Sequence, residues 1–392
     1  MTASRPTVLV YAPFSFNGEG PAQTCAAIVG AFPARTVSTV LHAARFRRRP
    51  AGSATLRPAV AGPRSVVPWR LVGADALSRL DDAFEAALEA ADPDSTVAYF
   101  WPDPPVHLVE RARDRGVRSV REMINTALDT SGPLLDEAFR RRGLSPTHGI
   151  SAERIAAESA ELSLYDACFA PNPEVEKSLL RLGLDPSRVL PTSFGWSPER
   201  FAGAAARSPV QTRPGRTTFL FVGSVDVRKG VPELLEAWEA AEVAGEAELV
   251  LVGRVASALE DRVAAAQRSG SVRAVGFQRD VGQVFRAADV FVFPTLEEGG
   301  PQVTYEAAGC GLPVITTPMG AARLVETGSS GVVVDPGSVE QLASAIRQLV
   351  GRPDLRVAYG AEARRRAEDF SYARVGPRRL AQLLALLDEP RR

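Results

Sequence analysis

The chain is sparing with sulfur, with histidine and above all with lysine. Its 392 residues include three cysteines, three histidines and three methionines, and of 46 basic residues two are lysines, Lys177 and Lys229. Cys25, Cys168 and Cys310 lie far apart among apolar neighbours, without metal-ligand spacing. That excludes a disulfide scaffold and points to a reduced, cytoplasmic compartment. Acidic and basic residues balance at 46 each, so no long-range field recruits nucleic acid or an anionic membrane. No apolar run approaches the roughly 18 residues of a membrane span, and the first residues lack a signal-peptide pattern. Basic clusters at Arg45–Arg49 and Arg140–Arg142 read first as solvated surface. Contact with lipid headgroups or an anionic acceptor is the alternative, which leaves peripheral membrane contact open. Oligomeric state is not legible. The length suffices for two α/β domains with full cores.

What is present concentrates in Thr295–Pro313, T-L-E-E-G-G-P-Q-V-T-Y-E-A-A-G-C-G-L-P. Asp289–Phe293 is a continuous apolar run too short for a helix, hence a buried strand. Pro294 ends it, Glu298-Gly299-Gly300 forms a turn, and Pro301 opens a helix to about Ala308. The glycines let backbone approach a ligand, and the free N–H groups of the first turn, Pro301–Thr304, face the same place, including Gln302 and Val303. Together they make an anion site that needs no positive side chain. Glu298 and Glu306 flank it, about 12 Å apart along a helix axis. Carboxylates bind hydroxyls and repel phosphate, so the pattern suits a ligand with hydroxyls at both ends and phosphate between: a nucleotide sugar. Residue types alone leave an ordinary strand–loop–helix with solvated glutamates open. A second strand–turn–helix precedes it: Thr218–Val222, then G-S-V-D-V-R-K-G from Gly223 to Gly230, then Val231–Ala241. A lone ammonium at Lys229 stands out in a chain that otherwise uses guanidinium.

E-x7-E followed by A-x-G-C-G-L-P-V-I resembles the signature of the family-four retaining glycosyltransferases. The resemblance implies the GT-B fold, an α/β architecture of two facing Rossmann-like domains with a cleft between them. It implies that Glu306 holds ribose hydroxyls, that Glu298 lies by the donor sugar, and that the residues between contact sugar and phosphate through backbone. It also implies that Phe277-Gln278 faces the base, with Phe277 either stacking on it or in the core. The family's phosphate loop reads G-R-x-x-x-x-K-G. Lys229 and Gly230 fit, Ser224 stands at the arginine position, and Arg228 is the candidate to replace it. A further departure follows the strand Val117–Arg121, where the family places a histidine near the transferred sugar. None stands there, so Glu122, Asn125 and Thr126 are the substitutes, and His42, His107 and His148 read as surface or capping residues. Asn172 replaces a usual serine and Arg323 a usual acid.

The rest reads β-α-β-α, which implies parallel sheets covered on both faces. Residues 1–202 form the expected first domain and face the acceptor. Its first loop, with Asn17, Gly18 and Gly20, lies at the cleft or is a plain turn. Residues 203–216 form a linker, residues 217–370 the donor-binding domain, and a tail helix from about 371 to 392 packs back on the first domain. The implied activity is metal-independent, retaining transfer from a UDP- or GDP-sugar to an acceptor hydroxyl, with no prosthetic group. Lys229, Arg228 and two helix N-termini would carry the diphosphate charge. A nucleotide-sugar epimerase or hydrolase of the same fold, or a non-catalytic sugar-nucleotide binder, are the alternatives.

Overall fold

The computed structural model describes residues 5–18, 20–202 and 213–390. The linker's residues 203–212 and the tail's last two lie outside the described residues. In the first half, strands and helices run β1 (Thr7–Phe16), α1 (Gly20–Gly30), β2 (Ser38–Phe46), β3 (Thr55–Pro58), α2 (Trp69–Glu89), β4 (Thr96–Phe100), α3 (Val106–Asp114), β5 (Arg118–Glu122), α4 (Leu128–Arg141), α5 (Ala152–Leu162), β6 (Ala167–Ala170), α6 (Pro173–Arg181) and β7 (Val189–Pro191). The second half runs β8 (Thr217–Val222), α7 (Val231–Ala241), β9 (Ala247–Val252), α8 (Glu260–Gln267), β10 (Val272–Ala274), α9 (Val281–Arg286), β11 (Val290–Phe293), α10 (Gln302–Gly309), β12 (Val314–Thr316), α11 (Pro318–Ala321), β13 (Gly331–Val333), α12 (Val339–Gly351), α13 (Pro353–Ala367) and α14 (Tyr372–Asp388).

The strands form two parallel sheets, ordered β3-β2-β1-β4-β5-β6-β7 and β10-β9-β8-β11-β12-β13. Every residue of β4, β5, β9 and β11 is buried, as strands covered by helices on both faces must be. In each sheet the strand order reverses between the first strand and the fourth, β1/β4 and β8/β11. At such a point the loops leaving the strands' carboxyl ends splay apart and open a crevice. The loops after β1, β8 and β11 are therefore the ones placed to meet a ligand.

Two regions differ from the sequence reading. β1 runs on through Phe14-Ser15-Phe16, right up to the Asn17 loop, and its last two residues pair with Arg45 and Phe46 of β2. Helix α4 has no counterpart in that reading, and Pro133 lies inside it.

The two lobes are stitched together by polar contacts. Arg142 at the end of α4 bonds Glu233 at 2.7 Å and also Glu236, both on α7. Arg323 bonds Glu176 and the Thr192 carbonyl, and Asn172 donates to the Met319 carbonyl at 2.6 Å. The two departures from the family pattern at 172 and 323 are thus lobe-to-lobe contacts. The basic clusters are not uniformly solvated either. Arg45 is buried, donating to Ser15 Oγ and the Val67 carbonyl while stacking on Trp69.

Helix α14 crosses back onto the N-terminal lobe, against α1 and β4. Arg379 on α14 is buried, bonds Glu122 on β5 and lies 4.3 Å from the Phe169 ring centroid. Where α14 begins, the chain runs beside the segment that follows β7. Trp196 N–H donates to the Phe370 carbonyl and Tyr372 N–H to the Trp196 carbonyl, each at 3.0 Å. A Cβ on Gly195 would sit 2.2 Å from the Phe370 oxygen, so only glycine permits this pairing.

Candidate functional site

A cavity of about 1230 Å³ lies between the lobes. That exceeds the usual room for one drug-sized ligand, roughly 300–1,000 Å³. Its C-terminal wall is built by the loops after β8 and β11. These loops touch directly: Gly230 has φ +67°, and a Cβ there would lie 2.0 Å from the Pro294 carbonyl oxygen. Leu296 N–H donates to the Arg228 carbonyl at 2.9 Å, and the Thr295 hydroxyl to the same oxygen at 3.3 Å. Asp226 accepts the Lys229 backbone N–H at 2.9 Å, which fixes the turn from which the lysine side chain departs.

Lys229 is buried, its Nζ bonded to Glu298 and 5.4 Å from the Phe293 ring centroid. Lysine and the Gly299–Gly300 turn thus share one side of the lobe. Burial pushes the Glu298 carboxyl up, but Lys229 and Arg228, with the Gly299 N–H, together hold it below the usual carboxylate range. Glu306, one turn inside α10, is different. Burial drives it up to about 7 against Arg200 and a hydrogen bond from Gln302 at 2.9 Å. Arg200 Nη1 reaches the same carboxylate at 3.4 Å. The cavity wall therefore carries two ion pairs, Arg228–Glu297 and Lys229–Glu298, and a third between Arg200 and Glu306.

Several expected site residues take other parts. Gly299 does not line the cavity: a Cβ there would lie 2.1 Å from the Ile124 carbonyl carbon, so this glycine admits the opposite lobe, not a ligand. Gly300 lines the cavity but also rests on Phe194, whose ring would stand 2.2 Å from a Cβ. Pro301 has no N–H, α10 begins at Gln302, and Thr304 N–H bonds the Pro301 carbonyl. Gln302 and Val303 line the cavity at this helix start, where first-turn N–H groups have no carbonyl in their own helix to bond. Helix α7 does not add a second set. Val231 N–H is taken by the Asp226 carbonyl, Pro232 has none, and neither residue lines the cavity. Ser224 is exposed and off the cavity wall, because the Gly223 φ of +155° turns the chain away there.

On the N-terminal wall, Asn17, Gly18, Gly20 and Asn125 line the cavity. Glu122 does not. It is the last residue of β5, fully buried, and bonded to Tyr99 and Arg379 behind the sheet. Thr126 is also buried and is occupied by Glu297, whose Oε1 accepts its N–H at 3.2 Å and its hydroxyl at 3.3 Å. Phe277 is 53% exposed and lines the cavity, so it is no core residue. Of the histidines, His42 is buried in β2 beside Phe84, with burial lowering it to about 4. His148 lines the cavity, held by Asp136 at 3.0 Å and by the Ile150 N–H at 3.1 Å.

Three contributors were not anticipated: Glu297, Arg200 and Thr24. Glu297 is 2% exposed, and its other oxygen accepts from Arg228 at 3.2 Å. Thr24 on α1 donates to the Gln302 side chain at 3.1 Å. The doubled glutamate at 297–298 was the available signal for the first; partners more than 100 residues away hid the others.

Two parallel-sheet lobes, each with its switch-point loops aimed at one shared cleft, define the GT-B architecture. Residues 216–352 match the family model described as Glycosyl transferases group 1. Among curated proteins the chain is 32% identical over 242 residues to a D-inositol 3-phosphate glycosyltransferase from Rhodococcus jostii, covering 57% of this chain and 52% of the relative. The chain thus spans about half the length of the curated relatives it matches. Sucrose-phosphate synthase from Thermosynechococcus elongatus superposes with TM-score 0.74 at 19% identity, over 98% of this chain and 99% of that one. Anabaena HepE in complex with UDP and glucose gives TM-score 0.64 at 14% identity, over 97% and 99% of the two chains.

Proposed function

We propose that this protein is a retaining glycosyltransferase that moves a sugar from a nucleoside diphosphate sugar, UDP- or GDP-linked, to an acceptor hydroxyl. The observation that carries this reading is the convergence of Lys229, Arg228 and the N-terminus of α10 on one stretch of the cleft, with Glu306 beyond. The diphosphate lies against Lys229 and Arg228 and the Gln302 and Val303 amides. Glu306 accepts from the ribose hydroxyls, Phe277 stacks on the base, and Glu298 lies at the sugar. As the bond from the anomeric carbon to the diphosphate oxygen breaks, Lys229, Arg228 and the amides stabilise the charge gathering on that oxygen. The acceptor oxygen attacks from the same face, and its proton passes to the departing diphosphate. The chain's own task is to position both substrates and hold charge, without a covalent intermediate. Metal independence belongs to this proposal, because the two cations supply charge that a divalent ion otherwise would. UDP bound in HepE supports a uridine donor. The three cysteines, all free, support a reduced, cytoplasmic setting.

One observation favours a second reading. Each cavity carboxylate already bonds a cation, and no histidine stands in the turn directly after β5, at 123–127, as a non-catalytic nucleotide-sugar binder would tolerate. Thermal-shift titration with UDP, GDP and ADP, followed by incubation of the matching sugars with and without acceptors, separates these readings. Transfer to an acceptor supports the proposal; free sugar or an isomer without acceptor points to a hydrolase or epimerase. Binding without turnover points to the binder.

A further inference from the structure

Thr24 is a polar residue in a buried place. It lies on α1 with Ala22, Cys25, Ile28 and Val29, the other buried residues of that helix, and is itself 4% exposed. A threonine in a helix can satisfy its hydroxyl on the carbonyl three or four residues back. Thr24 instead donates across the cleft, to Gln302 Oε1 at the start of α10, at 3.1 Å. The N-terminal lobe thus reaches the donor-side wall through one hydroxyl.

Gln302 passes that contact on. It stands four positions ahead of Glu306, on the same helix face, and its Nε2 donates to Glu306 Oε1 at 2.9 Å. An ionised carboxylate only accepts. It therefore draws the amide nitrogen towards itself and turns the amide oxygen to Thr24, whose hydroxyl must then donate. The hydrogen bonds run one way, from Thr24 through Gln302 to Glu306. Arg200 Nη1 meets the same Oε1 at 3.4 Å. Among the described residues nothing bonds Oε2, although Glu306 lines the cavity. One carboxylate oxygen is fixed by the protein, and the other is kept for a ligand. Without the Thr24 hydroxyl the terminal amide torsion of Gln302 is broad, and Glu306 loses the donor that fixes it.

We infer that Thr24 is a positioning residue: through Gln302 it aims the Glu306 carboxylate, so that ribose hydroxyls are gripped when the two lobes meet. That grip on ribose rests on the function proposed above; the hydrogen-bonded chain does not. Three other groups face Glu306: Arg200 after β7, Tyr372 opening α14, and Cys310 at the end of α10. Burial pushes the Tyr372 hydroxyl and the Cys310 thiol up, so Arg200 is the charged one of the three.

The test uses the full chain with Thr24→Val, which keeps the shape and removes the hydroxyl, and Thr24→Ser as the rescue. Calorimetry compares UDP and GDP with their 2′,3′-dideoxy forms. The parent should hold the better ribonucleotide about tenfold or more tighter than its dideoxy form. Thr24→Val should weaken the ribonucleotide about fivefold and the dideoxy form less than about twofold, and Thr24→Ser should restore the difference. Equal weakening of both ligands, or of neither, overturns the inference. A second measurement needs no nucleotide: the melting temperature of each protein, less that of its Glu306→Gln counterpart, followed from pH 5 to 9. Glu306, pushed by burial to about 7, stabilises the fold at low pH and loses that contribution as pH rises through its folded value. Thr24→Val weakens a hydrogen bond to the charged form, so the midpoint should move up by about half a pH unit or more, and Thr24→Ser should leave it in place. A midpoint that Thr24→Val leaves unmoved overturns the inference whatever the nucleotides show. If the parent does not tell ribose from dideoxyribose, the ribose reading of Glu306 falls, and the melting midpoint decides the Thr24 chain by itself.

Discussion

Glu297 of the C-terminal lobe accepts both the backbone N–H and the hydroxyl of Thr126 in the N-terminal lobe, at 3.2 and 3.3 Å. Its second oxygen holds Arg228 at 3.2 Å. The cation assigned to the diphosphate is therefore aimed by a residue that also holds the lobes together. Glu297→Ala should free Arg228 from that position and loosen the lobe contact. The expected outcome is a donor KM raised about tenfold, with Glu297→Gln, which still accepts from Thr126, losing less. Steady-state kinetics of the two variants measures it, and equal losses would assign the effect to Arg228 alone and not to the Thr126 contact.

Lys229→Ala tests the charge site directly. Removing a single preorganised donor from such a site typically costs about 10²–10³ in turnover. Turnover should fall about a hundredfold or more while the far-UV spectrum is unchanged. Retained turnover would mean that the diphosphate lies elsewhere.

Glu306 sets a pH dependence. Its carboxyl, pushed by burial to about 7, stands above the unfolded value of about 4.3. It therefore favours the folded state at low pH, and that contribution disappears as pH rises through about 7. Binding runs the other way, since the ionised carboxylate is the better acceptor for ribose hydroxyls. Donor KM should rise as pH falls from 8 to 6, and Glu306→Gln should flatten the profile and gain stability relative to the parent above pH 7. Kinetics and melting curves across that range check both signs.

Gly299→Ala and Gly300→Ala should harm the lobe contact, not the local turn. Their Cβ atoms would stand 2.1 Å from the Ile124 carbonyl carbon and 2.2 Å from the Phe194 ring. Each should cost about 1–3 kcal/mol by overpacking and raise KM for both substrates. Gly245→Ala, with nothing within 4 Å, is the control that should change neither. Chemical denaturation and kinetics read the difference.

The buried Arg379–Glu122 pair anchors α14. Removing one partner of a buried pair leaves an uncompensated charge and costs about 3–5 kcal/mol. Arg379→Met should lose that much, and adding Glu122→Gln should restore part of it, as measured by urea unfolding.

The parallel strands of the second lobe were legible because each is a short apolar run closed by glycine or proline, as in Val290–Phe293 and Ala247–Val252. β2 escaped notice because S-T-V-L-H-A-A-R-F carries a histidine and an arginine that are nonetheless buried. Lys229 and Glu306 reach the cavity wall through local strand, turn and helix, which is why spacing could point to that wall. Glu122 was misplaced because one residue decides whether a strand's end faces the cleft or the core. Gly299 was misread because the group it makes room for, Ile124, lies in the other lobe. Sequence spacing reports what a segment does to itself; it is silent about what arrives from 170 positions away.

The hydrogen-bonded crossing of Trp196 with Phe370 and Tyr372 means that two passages of the chain leave the N-terminal lobe side by side. A single tether would let the halves swivel freely, whereas a pair clasped at one spot resists twisting and sideways slip. The start of α14 and the segment after β7 are thereby tied into one doubled strap, fixed at Trp196.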